Sequence, residues 1–243
     1  MKLSVVVPVH NEEANVRSLV IEIDQMLTNA GINGEMIFVE DGSRDDTLNQ
    51  LRHLKTEFPR LRVCRHRLCA GQSTALRTGV VAARNALIAT LDGDGQNDPA
   101  DIPALVAHWQ QLSSEGCAHP LVAGYRKNRQ DSDWRRLISR LANAIRGSLL
   151  RDQTPDSGCG LKVFSRELFL ALPYFDHMHR FLPALARRAG GYVVSLEVHH
   201  RPRLHGQSKY GTLQRLWAGI WDLLGVFWLL RRSRLPDVSE LDD

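Results

Sequence analysis

Apolar residues in the first half of the chain come in short, dense runs and not in strict alternation. Runs at 3–9, 36–39, 61–64 and 86–91 have the length and β-branched content of strands buried on both faces. Between them the pattern shifts to helical spacing over residues 12–30, again from about residue 45, and over 71–83, with a further helix beginning near Pro99. Strand and helix thus alternate four times, which predicts an α/β fold: a mostly parallel, doubly wound sheet with helices on both faces. Residues 121–124 and 192–198 read as later strands. Ligands on such sheets bind beyond the carboxyl ends of the strands. The polar clusters 8–13, 41–47, 71–74 and 92–97 all follow strand ends, so they should converge on one crevice.

The fourth strand ends in Asp92-Gly93-Asp94-Gly95-Gln96. Two carboxylates two residues apart on extended backbone point the same way, and their like charges call for a cation between them. Oxygen donors without a clustered His or Cys favour Mg²⁺ or Mn²⁺. Taken alone, the same residues also read as an Asx-rich turn before the helix near Pro99. No G-x-G-x-x-G follows the first strand and no G-x-x-x-x-G-K-[ST] is present, which argues against a dehydrogenase or a P-loop nucleotidase. The net charge of +4 over 243 residues permits an anionic partner but is too small to imply nucleic acid. The four cysteines have no zinc spacing and read as reduced thiols, and the ten histidines show no metal-ligand spacing.

The first strand ends in Pro-Val-His-Asn-Glu-Glu, the second in Glu-Asp-Gly-Ser-Arg-Asp-Asp-Thr and the fourth in Asp-Gly-Asp-Gly-Gln. In that order they resemble the nucleotide-sugar-binding half of the family 2 glycosyltransferases, with the fold called GT-A. The resemblance implies donor-binding roles for Pro8, Asn11, Glu12, Asp41, Gly71 and Asp92, with Asp41 on the base. It implies metal ligation by Asp92, Asp94 and Gln96. Asp41 equally suits a turn in which Ser43 or Asp45 caps the next helix, and both roles can hold together. Gly71-Gln72-Ser73 is similar to the prenyl-phosphate branch of the family.

After residue 124 the chain turns strongly basic. Gly124-Tyr125-Arg126 followed by Arg135 and Ser139 resembles the pattern of polyprenyl-phosphate glycosyltransferases similar to dolichol-phosphate mannose synthase; the other arginines read as a solvated face. Arg203 to Lys209 matches R-x-x-G-x-S-K. The resemblance assigns Arg126, Arg135, Ser139, Arg203 and Lys209 to the acceptor phosphate, with catalysis resting on Asp92, Asp94, Arg126, Arg135 and Ser139. Asp156, in Asp-Ser-Gly, would shape the sugar and acceptor pocket. A phosphate monoester carries about −1.5 to −2 charges at neutral pH and is already nucleophilic, so no general base is required. The implied reaction is an inverting transfer of a hexosyl group from a nucleotide sugar, GDP-mannose or a UDP-sugar, to dolichol or undecaprenyl phosphate.

Residues 216–230 are apolar except for Asp222 and hold three of the five tryptophans. Fifteen helical residues span about 22 Å, short of the roughly 30 Å hydrocarbon core. Two readings stand: a helix at the headgroup level, flanked by arginines, or a core or dimer helix. The expected organisation is one GT-A domain over 1–211, with a nucleotide-sugar half at 1–101 and an acceptor half at 102–211. A membrane-interface or packing helix follows at 212–235, then a disordered acidic tail at 236–243. The expected location is cytoplasmic, peripheral on the inner membrane face through residues 213–234, with homodimerisation possible and no nucleic-acid partner. With no spanning helix after the catalytic domain, a translocating role is not expected. A saccharide acceptor, which would need a carboxylate base, and a non-catalytic nucleotide-sugar-binding module are the competing readings.

Overall fold

The computed structural model describes residues 1–126, 147, 149–150, 154–202 and 212–232, with side chains in the last stretch from 219 onward. Its parallel half is built around β1 (Lys2–Val9), flanked by β2 (Asn33–Asp41) and β4 (Leu87–Thr90), both parallel to it. β3 (Leu61–His66) extends the parallel sheet beyond β2. On the other side β6 (Lys162–Ser165) runs antiparallel between β4 and β5 (Leu121–Tyr125), and β7 (Val193–Glu197) pairs parallel with β5. The seven-stranded order is β3-β2-β1-β4-β6-β5-β7. The family resemblance and this topology agree on a GT-A-like α/β architecture.

The dense apolar runs are explained by burial on both faces. Val5, Val7 and Val9 of β1 point into one core layer with α1 (Val16–Asn29), α2 (Thr47–Glu57) and α4 (Ile102–Ser114). Val6 points the other way, towards α3 (Gln72–Ala82), α5 (Arg166–Ala171) and α6 (Leu182–Arg188). α3 lies so close to the sheet that a Cβ on Gly79 would stand 2.3 Å from Val6 Cγ1. That contact fixes the depth at which the start of α3 enters the rim.

Two boundaries differ from expectation for identifiable reasons. β2 begins at Asn33, earlier than its apolar run, because Glu35 is buried without being apolar: its carboxylate accepts from Ser4 Oγ (2.7 Å), Arg84 N–H (2.7 Å) and Arg62 (2.6 Å). α1 begins at Val16 and not at residue 12. The N–H groups of Asn11, Glu12 and Glu13 donate instead to Ser43 Oγ, Thr47 Oγ1 and Asp45 Oδ2 in the loop after β2. Asn11 itself stands at φ +53°. Backbone donors that would open a helix are spent on lacing two strand-end loops together.

α7 (Thr212–Arg231) packs one face on the core, as the packing reading expects, and leaves the other exposed. Val226 is buried in the second core layer, with Leu223, Phe227, Leu229 and Leu230 packed beside it. Ile220, Trp221, Leu224 and Trp228 are exposed, Trp221 at 67% and Trp228 at 60%. Asp222, the one charge in the run, faces inward and holds His177 Nδ1 at 2.8 Å.

Candidate active site

β1, β2 and β4 end at the same rim because they are parallel, and a cavity of about 420 Å³ opens there, a size suited to a small-molecule ligand. Pro8, Glu12, Asp41, Gly71, Asp92 and Asp94, all singled out from sequence, line it. Asn11 does not. Its Oδ1 accepts from Arg44 N–H at 2.7 Å, and it faces a neighbouring depression formed with Gly42, Ser43 and Arg67.

Asp41 closes β2 and is 3% exposed. Burial by itself would raise its carboxyl, yet the carboxylate accepts from Ala70 N–H (2.8 Å), His66 Nδ1–H (2.7 Å), Cys69 S–H (3.3 Å) and Gly71 N–H (2.9 Å). Together these hold it below the ordinary carboxylate range. Asp41 therefore fixes the β3–α3 loop, and Gly71, at φ +89°, supplies the left-handed turn that starts α3. His10, Asp41 and Cys69 bring nitrogen, oxygen and sulfur donors within 4.8 Å of one another, a clustering that sequence spacing did not reveal. These groups already serve one another: His10 Nδ1–H donates to the Asp41 carbonyl at 2.6 Å, and Cys69 donates to the Asp41 carboxylate.

Asp92 behaves in the opposite way. Burial, and then the adjacent Asp94 charge, push its carboxyl up to about 6, against the pull of Lys162 and Arg126. Gln72 Nε2 donates to it at 2.8 Å, and Asn97 Oδ1 accepts its backbone N–H at 3.3 Å. A Cβ on Gly160 would lie 2.3 Å from the Asp92 carboxylate, so the glycine is what lets that carboxylate pack against the 156–160 loop. Thr90 Oγ1 ties the same loop to β4 by donating to the Gly160 carbonyl at 2.6 Å. Asp94 Oδ1 accepts Gln96 N–H at 3.2 Å, while the Gln96 side chain turns away to the Arg201 carbonyl (3.5 Å). The rim thus concentrates anionic oxygen at Asp92 and Asp94, a donor set suited to Mg²⁺ or Mn²⁺.

Arg126, at the end of β5, is half-buried behind Gly158 and does not line the cavity. Its Nε and Nη2 donate to the two Asp156 oxygens at 2.6 and 2.9 Å. Asp156 is thereby the partner of an arginine assigned to phosphate. Arg135, Ser139, Arg203 and Lys209 lie outside the described residues.

Three cavity residues were not singled out from sequence. Lys162 is 3% exposed, and its Nζ donates to the carbonyls of Ser157 (3.4 Å) and Cys159. Burial lowers its pKa, while neighbouring Cys159, Asp92 and Asp156 act to raise it. A lone lysine in the apolar run Leu161 to Phe164 was the available signal. His179 and Arg180 sit in a single 3₁₀ turn, Met178–Arg180, that no motif marks. Ser73 Oγ meets His179 Nδ1 at 2.8 Å and accepts His179 N–H at 3.2 Å, which braces this turn on α3. Burial, and then the Arg180 charge, lower His179 to about 3.

The sequence profile for glycosyl transferase family 2 matches residues 4–172. Dodecaprenyl-phosphate galacturonate synthase from Rhizobium johnstonii is 35% identical over 240 residues, covering 97% of this chain and 69% of that protein. Undecaprenyl-phosphate 4-deoxy-4-formamido-L-arabinose transferase from Aeromonas hydrophila is 33% identical over 212 residues, 87% of this chain; the chain spans 63% of that relative's length. Among solved structures, glucosyl-3-phosphoglycerate synthase from Mycobacterium tuberculosis with Mg²⁺ and UDP superposes with a TM-score of 0.69 at 22% identity, covering 97% of this chain and 80% of the other. The same enzyme with Mn²⁺, UDP and glucosyl-3-phosphoglycerate gives 0.67 at 25% identity, covering 97% and 81%.

Proposed function

The chain belongs to glycosyl transferase family 2, and on that footing we propose that it transfers a hexosyl group from a nucleotide sugar to a polyprenyl phosphate. The observation that carries this reading is the single rim cavity lined at once by Asp41, Asp92 and Asp94. Relatives named as polyprenyl-phosphate sugar transferases support the acceptor class.

In this reading the nucleoside lies along Pro8, Glu12, Asp41 and Gly71, with Asn11 acting through the loop it pins. The adjacent carboxylates of Asp92 and Asp94 fit a divalent Mg²⁺ or Mn²⁺, which these two would hold. When bound, such an ion supplies Lewis-acid stabilisation of the departing nucleoside diphosphate. Gln96 would join it only by turning from the Arg201 carbonyl. Gln72, Asn97 and Gly160 hold the Asp92 carboxylate in place.

The acceptor phosphate is assigned to Arg126 with Arg135, Ser139, Arg203 and Lys209. Asp156 fixes the Arg126 guanidinium plane through Nε and Nη2 and leaves Nη1 for an incoming phosphate. A phosphate oxygen attacks the anomeric carbon as its bond to the diphosphate breaks. One displacement inverts that carbon, and no protein base takes a proton. We further propose that α7 rests on the membrane through Ile220, Trp221, Leu224 and Trp228, bringing the cavity to the lipid-borne acceptor. Among the described residues no helix is long and apolar enough to cross a membrane.

The test is transfer of radiolabel from UDP- and GDP-linked hexoses into a lipid extract containing polyprenyl phosphate and Mn²⁺. Label should enter the lipid fraction with the wild-type chain and fall by on the order of 100-fold or more in Asp94→Ala. Label entering a soluble saccharide instead, or lipid labelling indifferent to Asp94, would overturn the reading.

A further inference from the structure

Among the described residues, the one arginine that lines the cavity is Arg180. It is half-buried, and its guanidinium makes no hydrogen bond or ion pair among the described residues. Of the nearby cations, Lys162 donates to the carbonyls of Ser157 and Cys159, and Arg126, held by Asp156 through Nε and Nη2, does not line the cavity. His179 beside it is neutral at physiological pH and adds no charge. A partly desolvated guanidinium without a counter-ion, inside a ligand cavity, is set for an anion that the ligand brings.

The guanidinium sits on a held segment. Ser73 grips His179 through both its ring and its backbone. His177 is tied to Asp222 of α7, and Phe181 and Leu182, which follow, are buried in the second core layer. Such a base suits a group that selects among ligands, because little ordering remains to be done on binding.

Three kinds of anion can enter: the donor's diphosphate, the acceptor's phosphate, and a carboxylate on the donor sugar. Under the proposed function, which this inference rests on, the diphosphate is served at Asp92 and Asp94 and the acceptor phosphate from the Arg126 side. Arg180 reaches the cavity from a different element, the turn braced on the start of α3. We propose that Arg180 is a specificity residue for a donor whose hexose carries a carboxylate, a nucleoside-diphosphate hexuronic acid. The planar guanidinium matches a carboxylate with two parallel hydrogen bonds, a geometry a neutral hydroxymethyl group cannot return.

The experiment compares donors that differ only at the sixth carbon: UDP-glucuronate with UDP-glucose, and UDP-galacturonate with UDP-galactose, each transferred to polyprenyl phosphate by the full chain with Mn²⁺. For one of the pairs the wild type should favour the acidic donor in kcat/KM by at least about tenfold. Arg180→Gln should lose on the order of 100-fold with that acidic donor and less than about threefold with its neutral partner. Arg180→Lys, which keeps charge but not the fork, should fall between. Binding of UDP with Mn²⁺, measured by calorimetry, should stay within about twofold in Arg180→Gln, which also reports that the variant is folded. Equal loss with both donors, weakened UDP binding, or a wild-type preference for neutral sugars would overturn the inference and leave the proposed transferase standing. Failure of every donor, acidic or neutral and UDP- or GDP-linked, to label the lipid would remove the transferase reading itself.

Discussion

At the scale of single residues, the site is built as much by what glycines omit as by what carboxylates supply. Asp92 can pack against the 156–160 loop because Gly160 has no Cβ; one placed there would be 2.3 Å from the carboxylate. Gly160→Ala must displace either the loop or Asp92. The expected result is a transfer rate lower by at least about tenfold, with a stability cost of about 1–3 kcal/mol from overpacking. A melting curve and a transfer assay check both, and wild-type behaviour in the two together would show that the close approach does not matter. Asp41 and Asp92 make the complementary point: two rim aspartates driven in opposite directions, one held ionised by four donors and the other opposed by burial and Asp94.

At the scale of elements, the loops after β1 and β2 work as one unit, since Asn11, Glu12 and Glu13 donate into Ser43, Thr47 and Asp45. The delayed start of α1 is the cost of that lacing. α7 likewise has two occupations: an inner face closing the second core layer, and an outer face of Ile220, Trp221, Leu224 and Trp228. Arg231 and Arg232 stack on Phe227 and Trp228 at 4.3 and 5.9 Å, placing cations at the rim of the apolar patch. Because both exposed tryptophans lie off the core, Trp221→Ser with Trp228→Ser should leave the melting temperature within about 2 °C of wild type. Co-sedimentation with phosphatidylglycerol vesicles should fall by roughly tenfold or more, from the lost apolar burial. Undiminished vesicle binding would sink the proposed membrane contact.

At the scale of the whole molecule, stability should carry the signature of His179. Its folded pKa, about 3, lies below its ordinary value of 6.5. In acid the unfolded chain takes up a proton that the folded chain refuses, so this contribution is complete above pH 6.5 and is lost as pH falls towards 3. At pH 5 the loss is about 2 kcal/mol. Asp92, raised to about 6, runs with the opposite sign in the same window, so the comparison must be with a variant. His179→Asn, whose Oδ1 can still accept from Ser73, should lose about 2 kcal/mol less than wild type between pH 7 and pH 5 in urea unfolding. Parallel curves would show that the imidazole is not held neutral.

The sheet was legible because each buried strand of the parallel half writes itself as an apolar run, and the crevice was legible because polar clusters follow those runs. Glu35 hid the start of β2, since its burial rests on Ser4, Arg84 and Arg62, partners far apart in the chain. Lys162, His179 and Arg180 escaped notice for the same reason: they matter through neighbours that no local pattern announces. Periodicity and strand-end motifs, which depend on residues a few places apart, determined by themselves the α/β architecture, the rim, and the carboxylates Asp41, Asp92 and Asp94. Only the tertiary structure decided how Asp41 and Asp92 are held and which cations reach the cavity, because desolvation and pairing are set by distances between segments that sequence order does not encode.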